Sequence, residues 1–234
     1  ALPKLNTPTY ELELPSTAEK IKYRPFLVKE QKVLMMAQDS GEDQQIAEAM
    51  GNLVSSCTFG KVDAETSPMF DLEYVFLKVR GKSVGETVQL SLICPDDEKT
   101  TVPVNLKLDD IEVQMLDNHT NEINISESVK VVFRYPLLND MKSMDKDSTD
   151  IQKVFHFLVN CMHEIHYDDD VYRRIDLKDK EIEDFIDQFT GEQFELITNF
   201  FNSMPKLRHT VEVTNPKTKV KSEVVLEGLE SFLG

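Results

Sequence analysis

Hydrophobic positions along this chain switch between two periods. Residues 10–14, Tyr-Glu-Leu-Glu-Leu, alternate apolar and charged, which marks a half-buried strand. A polar turn over 15–19 follows, and the alternation resumes at Ile21. Pro25 confines that second strand to an edge or to its end. From Leu27 the spacing becomes helical, through Val28, Val33, Leu34, Met35 and Met36, and stops near Ser40-Gly41. A second helix carries Ile46, Met50, Leu53 and Val54 on one face and ends over 57–60, where Gly60 suits a C-terminal cap. Ser67-Pro68 predicts an N-cap and first helical position for a third helix over 69–80. That helix is apolar around most of its circumference and is expected between layers. Strands follow at 87–94 and 102–108, joined by the polar turn 95–99. Two more, at 112–115 and 130–134, flank a polar turn at 117–121. The remainder reads as mainly helical. A short helix and loop cover 137–149, a capped helix 151–166 and an amphipathic helix 178–188. Another helix opens at Thr190-Gly191-Glu192-Gln193 and ends at Ser203-Met204-Pro205. A hairpin over 207–214 and 220–226 precedes an apolar tail at 228–234.

This pattern predicts an α+β fold, a helical body with antiparallel β-hairpins in both halves. Two lobes are expected, an N-terminal α+β lobe over 1–116 and a mainly helical lobe with a terminal hairpin over 117–234. Residues 87–95 resemble 209–216, each a strand running into a Pro-containing knuckle, which suggests two uses of one helix–hairpin unit. A zinc ribbon needs two Cys-x-x-Cys turns to complete a tetrahedron of thiolates. The first knuckle holds a single thiol, Cys94, and the second, Asn215-Pro216-Lys217-Thr218, holds none. The hairpins are therefore expected to be degenerate, zinc-ribbon-like and metal-free.

Charge narrows the partners. The 234 residues carry 26 Lys plus Arg against 42 Asp plus Glu, a formal −16. Such a chain repels phosphate backbones and anionic lipid, so neither nucleic acid nor membrane is expected as a partner. No apolar run reaches the roughly 20 residues that span a bilayer. The first residues show no charged start before an apolar stretch, so no signal peptide is expected, and Ala1 is expected to follow a removed initiator Met. Three cysteines, at 57, 94 and 161, are odd in number and far apart. They predict reduced thiols in a cytoplasm-like compartment rather than a disulfide framework.

Candidate chemistry is sparse. There is no Gly-x-Ser-x-Gly elbow, Walker loop or dinucleotide-type glycine pattern, so no catalytic residue and no cofactor is expected. One cluster invites an alternative. His156, Cys161, His163 and His166 precede Asp168, Asp169 and Asp170, and on a helix His156 and His163, or His163 and His166, share a face. A metal-dependent hydrolase would use such a group. The run His163-Glu164-Ile165-His166 is one residue short of the paired-His zinc protease motif, and the competing reading is an exposed, frayed helix end. Met35, Met36, Met141, Met144, Met162 and Met204 serve either as core filling or as adaptable contact surface. The tail residues Leu229, Phe232 and Leu233 either fold back on the core or bind a partner.

The block 2–12, Leu-Pro-Lys-Leu-Asn-Thr-Pro-Thr-Tyr-Glu-Leu, and the block 22–32, Lys-Tyr-Arg-Pro-Phe-Leu-Val-Lys-Glu-Gln-Lys, carry a family likeness. So do 70–73 with Arg80-Gly81-Lys82-Ser83-Val84-Gly85-Glu86 and the closing 226–232, Leu-Glu-Gly-Leu-Glu-Ser-Phe. Together they resemble the baseplate hub subunit or hub assembly protein family of T4-like bacteriophages, over essentially the whole chain. The resemblance implies a non-enzymatic late protein acting in tail assembly, with other baseplate hub or tape-measure proteins as partners. It also implies a location in the host cytoplasm during assembly and, for a hub subunit, in the virion tail. It transfers no active-site residues.

Overall fold

The computed structural model describes residue 3, residues 5–145 and residues 147–233. Ala1, Leu2, Lys4, Lys146 and Gly234 lie outside it, and with them parts of the first resemblance block and the last residue of the tail. The fold is α+β, helices with antiparallel sheets. It divides into two compact units, Ala1–Gln114 together with Lys206–Gly234, and Met115–Pro205. The terminal hairpin, expected in the second lobe, therefore belongs to the first unit. The reason is strand pairing: the first terminal strand is hydrogen-bonded to residues 112–114.

In the first unit, β1 (Tyr10–Glu13) and β2 (Lys20–Tyr23) pair antiparallel, with Tyr10 opposite Tyr23. Three helices follow, α1 (Val28–Ser40), α2 (Asp43–Cys57) and α3 (Met69–Val84). Helix α3 is the core element. Phe70, Leu72, Val75, Phe76, Leu77 and Val79 are all buried, around most of its circumference, as the sequence predicts. Each such fully buried side chain contributes about 1.5–3 kcal/mol relative to exposure. Lys78 is buried too, and its ammonium donates to the carbonyls of Leu108 (3.3 Å), Asp109 (2.9 Å) and Ile111 (3.1 Å). Those donations satisfy two carbonyls of a 3-10 turn at Leu108–Asp110 and the one that follows it, and let a charged group sit inside. Strand β3 (Thr87–Ile93) pairs with β4 (Thr101–Lys107). Strand β5 (Glu112–Gln114) joins the terminal hairpin, which consists of β10 (Lys206–Thr214) and β11 (Lys221–Glu227).

The knuckle likeness extends to three hairpins of this unit. Each reads X-Pro-x-x-X, at Leu14–Ala18, Cys94–Glu98 and Asn215–Lys219. In each, the fifth residue is left-handed (Ala18, φ 56°; Glu98, φ 53°; Lys219, φ 69°). Its N–H donates back to the first residue's carbonyl at 2.8–2.9 Å. The first residue, Leu14, Cys94 or Asn215, is buried. The second and third knuckles meet through a carboxylate. Asp96 accepts from Asn215 Nδ2 at 3.1 Å and from the Thr218 hydroxyl. Side-chain hydrogen bonds thus join the two turns where a ribbon would place a metal.

In the second unit, β6 (Glu122–Asn124), β7 (Val129–Phe133), β8 (Met162–Tyr167) and β9 (Asp170–Arg173) form one antiparallel sheet in that order. The helices are α4 (Leu138–Lys142), α5 (Asp150–Cys161), α6 (Asp179–Ile186) and α7 (Gly191–Ser203). Thr149 and Thr190 cap α5 and α7, each exchanging bonds with the Gln three residues on. Ile123, Val131, Phe133, Leu158, Met162, Ile182, Ile197 and Phe200 form the core. The expected helix over 151–166 stops at Cys161. Its last five residues lie in β8, and β6 and β9 went unpredicted. Residues 162–167 carry buried Met162 and Ile165 among polar neighbours, a pattern that a three-residue helical spacing also fits.

Candidate partner-binding surface

Each unit holds its own copy of one clamp. Tyr23-Arg24-Pro25-Phe26-Leu27-Val28-Lys29-Glu30 aligns without gaps with Phe133-Arg134-Tyr135-Pro136-Leu137-Leu138-Asn139-Asp140. Each arginine follows a hairpin, and its guanidinium binds the acid six residues on: Arg24 Nη2 to Glu30 at 2.9 Å, and Arg134 to both Asp140 oxygens at 2.7 and 2.9 Å. The same acid accepts the N–H of Leu27 (2.7 Å) or Leu137 (2.8 Å), which starts the next helix. Each arginine N–H donates to the carbonyl of the cysteine ending the second helix, Cys57 (2.9 Å) or Cys161 (2.8 Å), and Nη1 lies 3.7 or 3.9 Å from its sulfur. One Arg-x-x-Leu-x-x-acid module thus locks hairpin, helix start and helix end together in both units. An Arg-to-acid spacing of six, repeated before a buried Cys, was the sequence signal for it, and the knuckle comparison does not contain it.

These thiols have no reactive character. Burial pushes Cys57 up to about 11 and Cys161 up to about 12, against the pull of the neighbouring arginines. All three cysteines are buried and free of disulfides.

The expected histidine cluster is not assembled. His156 lies on α5, where Nε2 is 2.8 Å from the Asp140 carbonyl. His163 and His166 lie on β8, three residues apart and therefore on opposite faces, and His166 is 2.9 Å from Glu164. Asp168, with φ 49°, and Asp169 form the β8–β9 turn, and Asp170 opens β9. The helix that would have aligned these groups ends too early. Among the described residues no group of three His, Cys, Asp or Glu side chains is placed to hold a metal.

One constellation was missed from the sequence. His119 Nδ1 is 2.9 Å from Ser203 Oγ, and Nε2 is 3.0 Å from the Tyr135 hydroxyl. Ser203 Oγ donates to the Asn199 carbonyl at 2.7 Å. A neutral ring with its proton on Nδ1 satisfies all of these groups. Burial lowers the His119 pKa and raises that of Tyr135, which keeps that state. The serine proton already has a partner, so the chain ties the 117–121 turn to α7 and is not poised for nucleophilic attack.

The tail residues take the first of their two options. Leu229 and Phe232 are buried, 8% and 0% exposed, in a 3-10 turn, and Leu233 is half-buried. Arg80 Nη2 donates to the Leu233 carbonyl at 3.2 Å, holding the tail down. As folded, Leu229 and Phe232 offer no surface. The open apolar surface lies elsewhere. On α1, Val28 (66%), Val33 (53%), Met35 (54%) and Met36 (72%) are exposed. The methionines therefore divide, with Met35 and Met36 outside and Met162 in the core. In the second unit, an apolar groove of about 670 Å³ runs between α5 and the α6–α7 segment, floored by Phe155, Ile186, Phe189 and Phe194.

The family model described as "T4 bacteriophage base plate protein" matches residues 7–234. The chain belongs to that family. No curated protein and no solved structure matches it. The family is structural, which gives a base plate protein like this one a place in the phage tail and base plate proteins for neighbours. The surfaces agree with that role. A base plate protein has to offer faces to other subunits, and α1 and the α5–α7 groove leave large apolar side chains uncovered. Among the described residues no helix is long and apolar enough to cross a membrane.

Proposed function

We propose that this base plate protein acts at the baseplate hub, in tail assembly, and works by protein–protein contact without catalysis. The observation that carries the reading is the set of exposed apolar side chains on α1, on a chain of formal charge −16 whose family is structural. Val28, Val33, Met35 and Met36 lie in water beside Lys29 and Lys32, and two of them are flexible thioethers suited to adaptable contact. Acidic charge keeps such a chain soluble and steers it toward basic partners before the apolar faces meet. Hub or tape-measure proteins are the partners the reading requires, met in the host cytoplasm during assembly. Whether the protein stays as a hub subunit or leaves as a chaperone is decided by its presence in finished particles. A partner role for Leu229, Phe232 and Leu233 would require the tail to leave its site.

The test is a pull-down with tagged full-length protein from infected cells, analysed beside purified particles. Hub or tape-measure proteins in the eluate are expected. An eluate without any base plate or tape-measure protein would overturn the proposal. Val28→Ser with Met36→Ser, both at exposed positions, is expected to reduce recovery without altering the circular dichroism spectrum.

A further inference from the structure

The shared clamp allows the two units to be compared position by position. Helix α2 ends at Cys57 and α5 ends at Cys161, each against its arginine. Seven residues before the cysteine, α2 carries Met50, 7% exposed, whereas α5 carries Val154, 41% exposed. Ten residues before it, Ala47 is half-buried, whereas Ile151 is 67% exposed. A face that the first unit closes over is therefore open in the second. This open face is one wall of the α5–α7 groove, with Phe189 and Phe194 opposite.

Chemistry selects the occupant. The groove is lined by Ile151, Val154 and the phenylalanines, with carboxylates at Asp150 and Asp187 and no Lys or Arg. Both carboxylates are exposed, and neither makes an ion pair among the described residues. Residues 115–205 carry 19 acidic residues against nine basic ones, so the surroundings are negative as well. The walls include helices, whose backbone groups are bonded internally, and they offer no ladder to an extended strand. A second copy of this chain would bring its own −16 charge to an acidic face.

We infer that the α5–α7 groove takes an amphipathic helix of a partner protein, with large apolar side chains at i, i+4 and i+7 and Lys or Arg on its flanks. The inference rests on the assembly role proposed above and gives it a second contact site. The apolar row would enter between Val154 and Phe194, and the cations would meet Asp150 and Asp187.

The test places a photo-cross-linking p-benzoylphenylalanine at exposed position 154 of the full-length protein in infected cells. The cross-linked peptide is then sequenced by mass spectrometry. The expected product is a segment of another phage protein with helical apolar spacing and net positive charge. The Asp150→Lys, Asp187→Lys double variant changes two exposed residues and is expected to cut its yield on the order of tenfold. A cross-link to a second copy, to an acidic segment or to one without helical spacing would overturn the inference. So would a yield that the double variant leaves unchanged. No cross-link from position 154, while the pull-down still recovers base plate proteins, would sink the groove and leave the assembly role standing. Loss of both would sink the assembly role itself.

Discussion

Replacing Arg134 with Met removes the centre of the second unit's clamp. Asp140 is 4% exposed and accepts three hydrogen bonds, two of them from Arg134 and one from the Leu137 N–H. The variant strips both charge-assisted bonds and frees the Tyr135 carbonyl from its 3.0 Å donor. Breaking a buried pair by removing one partner costs about 3–5 kcal/mol. The Arg134 side chain is 31% exposed, so water re-solvates part of the site and the lower end applies, about 3 kcal/mol. Adding Asp140→Leu removes the stranded charge, so the double variant should be more stable than Arg134→Met alone by about 1–2 kcal/mol. Hydrogen exchange followed by mass spectrometry reads each unit separately, which matters where two units need not unfold together. Faster exchange is expected over 133–161, with 24–57 unchanged. Arg24→Met should give the mirror result. An Arg134→Met cost below about 1 kcal/mol, or a strictly additive cycle, would refute the clamp as the unit's lock.

Three further outcomes follow from buried groups. Burial, with Glu230 nearby, pushes the Glu73 carboxyl up to about 7, so the native state holds this proton more tightly than the unfolded chain. That stability is fully present below the unfolded value near 4.5 and lost as pH rises to about 7. Glu73→Gln should therefore stabilise the protein by about 1–3 kcal/mol at pH 8 and by little at pH 4.5, as read by urea titration at both pH values. Phe232→Ala empties a fully buried site and should cost about 3–5 kcal/mol in denaturant unfolding. An exposed tail would give almost no change. The three cysteines should react with a thiol reagent at pH 8 only after denaturant is added, and fast labelling of native protein would contradict their burial.

Local patterns carried much of the fold into view. Helix α3 was legible because Phe70 to Val79 is apolar on nearly every side, and the hairpin β3–β4 because its alternation meets a Pro turn. The start of α7 was legible in Thr190-Gly191-Glu192-Gln193, and that of α5 as a capping stretch over 147–150 within which the structure selects Thr149. What failed was decided by long-range pairing. Residues 162–167 are a strand because β7 and β9 lie on either side, and no local periodicity reports that. The place of β10–β11 follows from its pairing with β5, nearly a hundred residues earlier in the chain. The histidine reading failed with the helix that carried it. The two options for the tail residues stayed open in the sequence because their site, beneath Arg80 and against α3, is built from distant sequence. The Arg–acid clamps were present as spacing, but a six-residue Arg-to-acid interval is common in a chain with 42 acids.

The central claim is that this base plate protein works by holding other hub or tail proteins. Quantitative mass spectrometry of a tagged full-length pull-down from infected cells, with purified particles run in parallel, tests it most directly. The account predicts co-purifying hub or tape-measure proteins at a fixed ratio to the bait, reduced by substitution of Val28 and Met36. A bait recovered without any base plate or tape-measure protein, or a partner set indifferent to those substitutions and to Asp150 and Asp187, would contradict it.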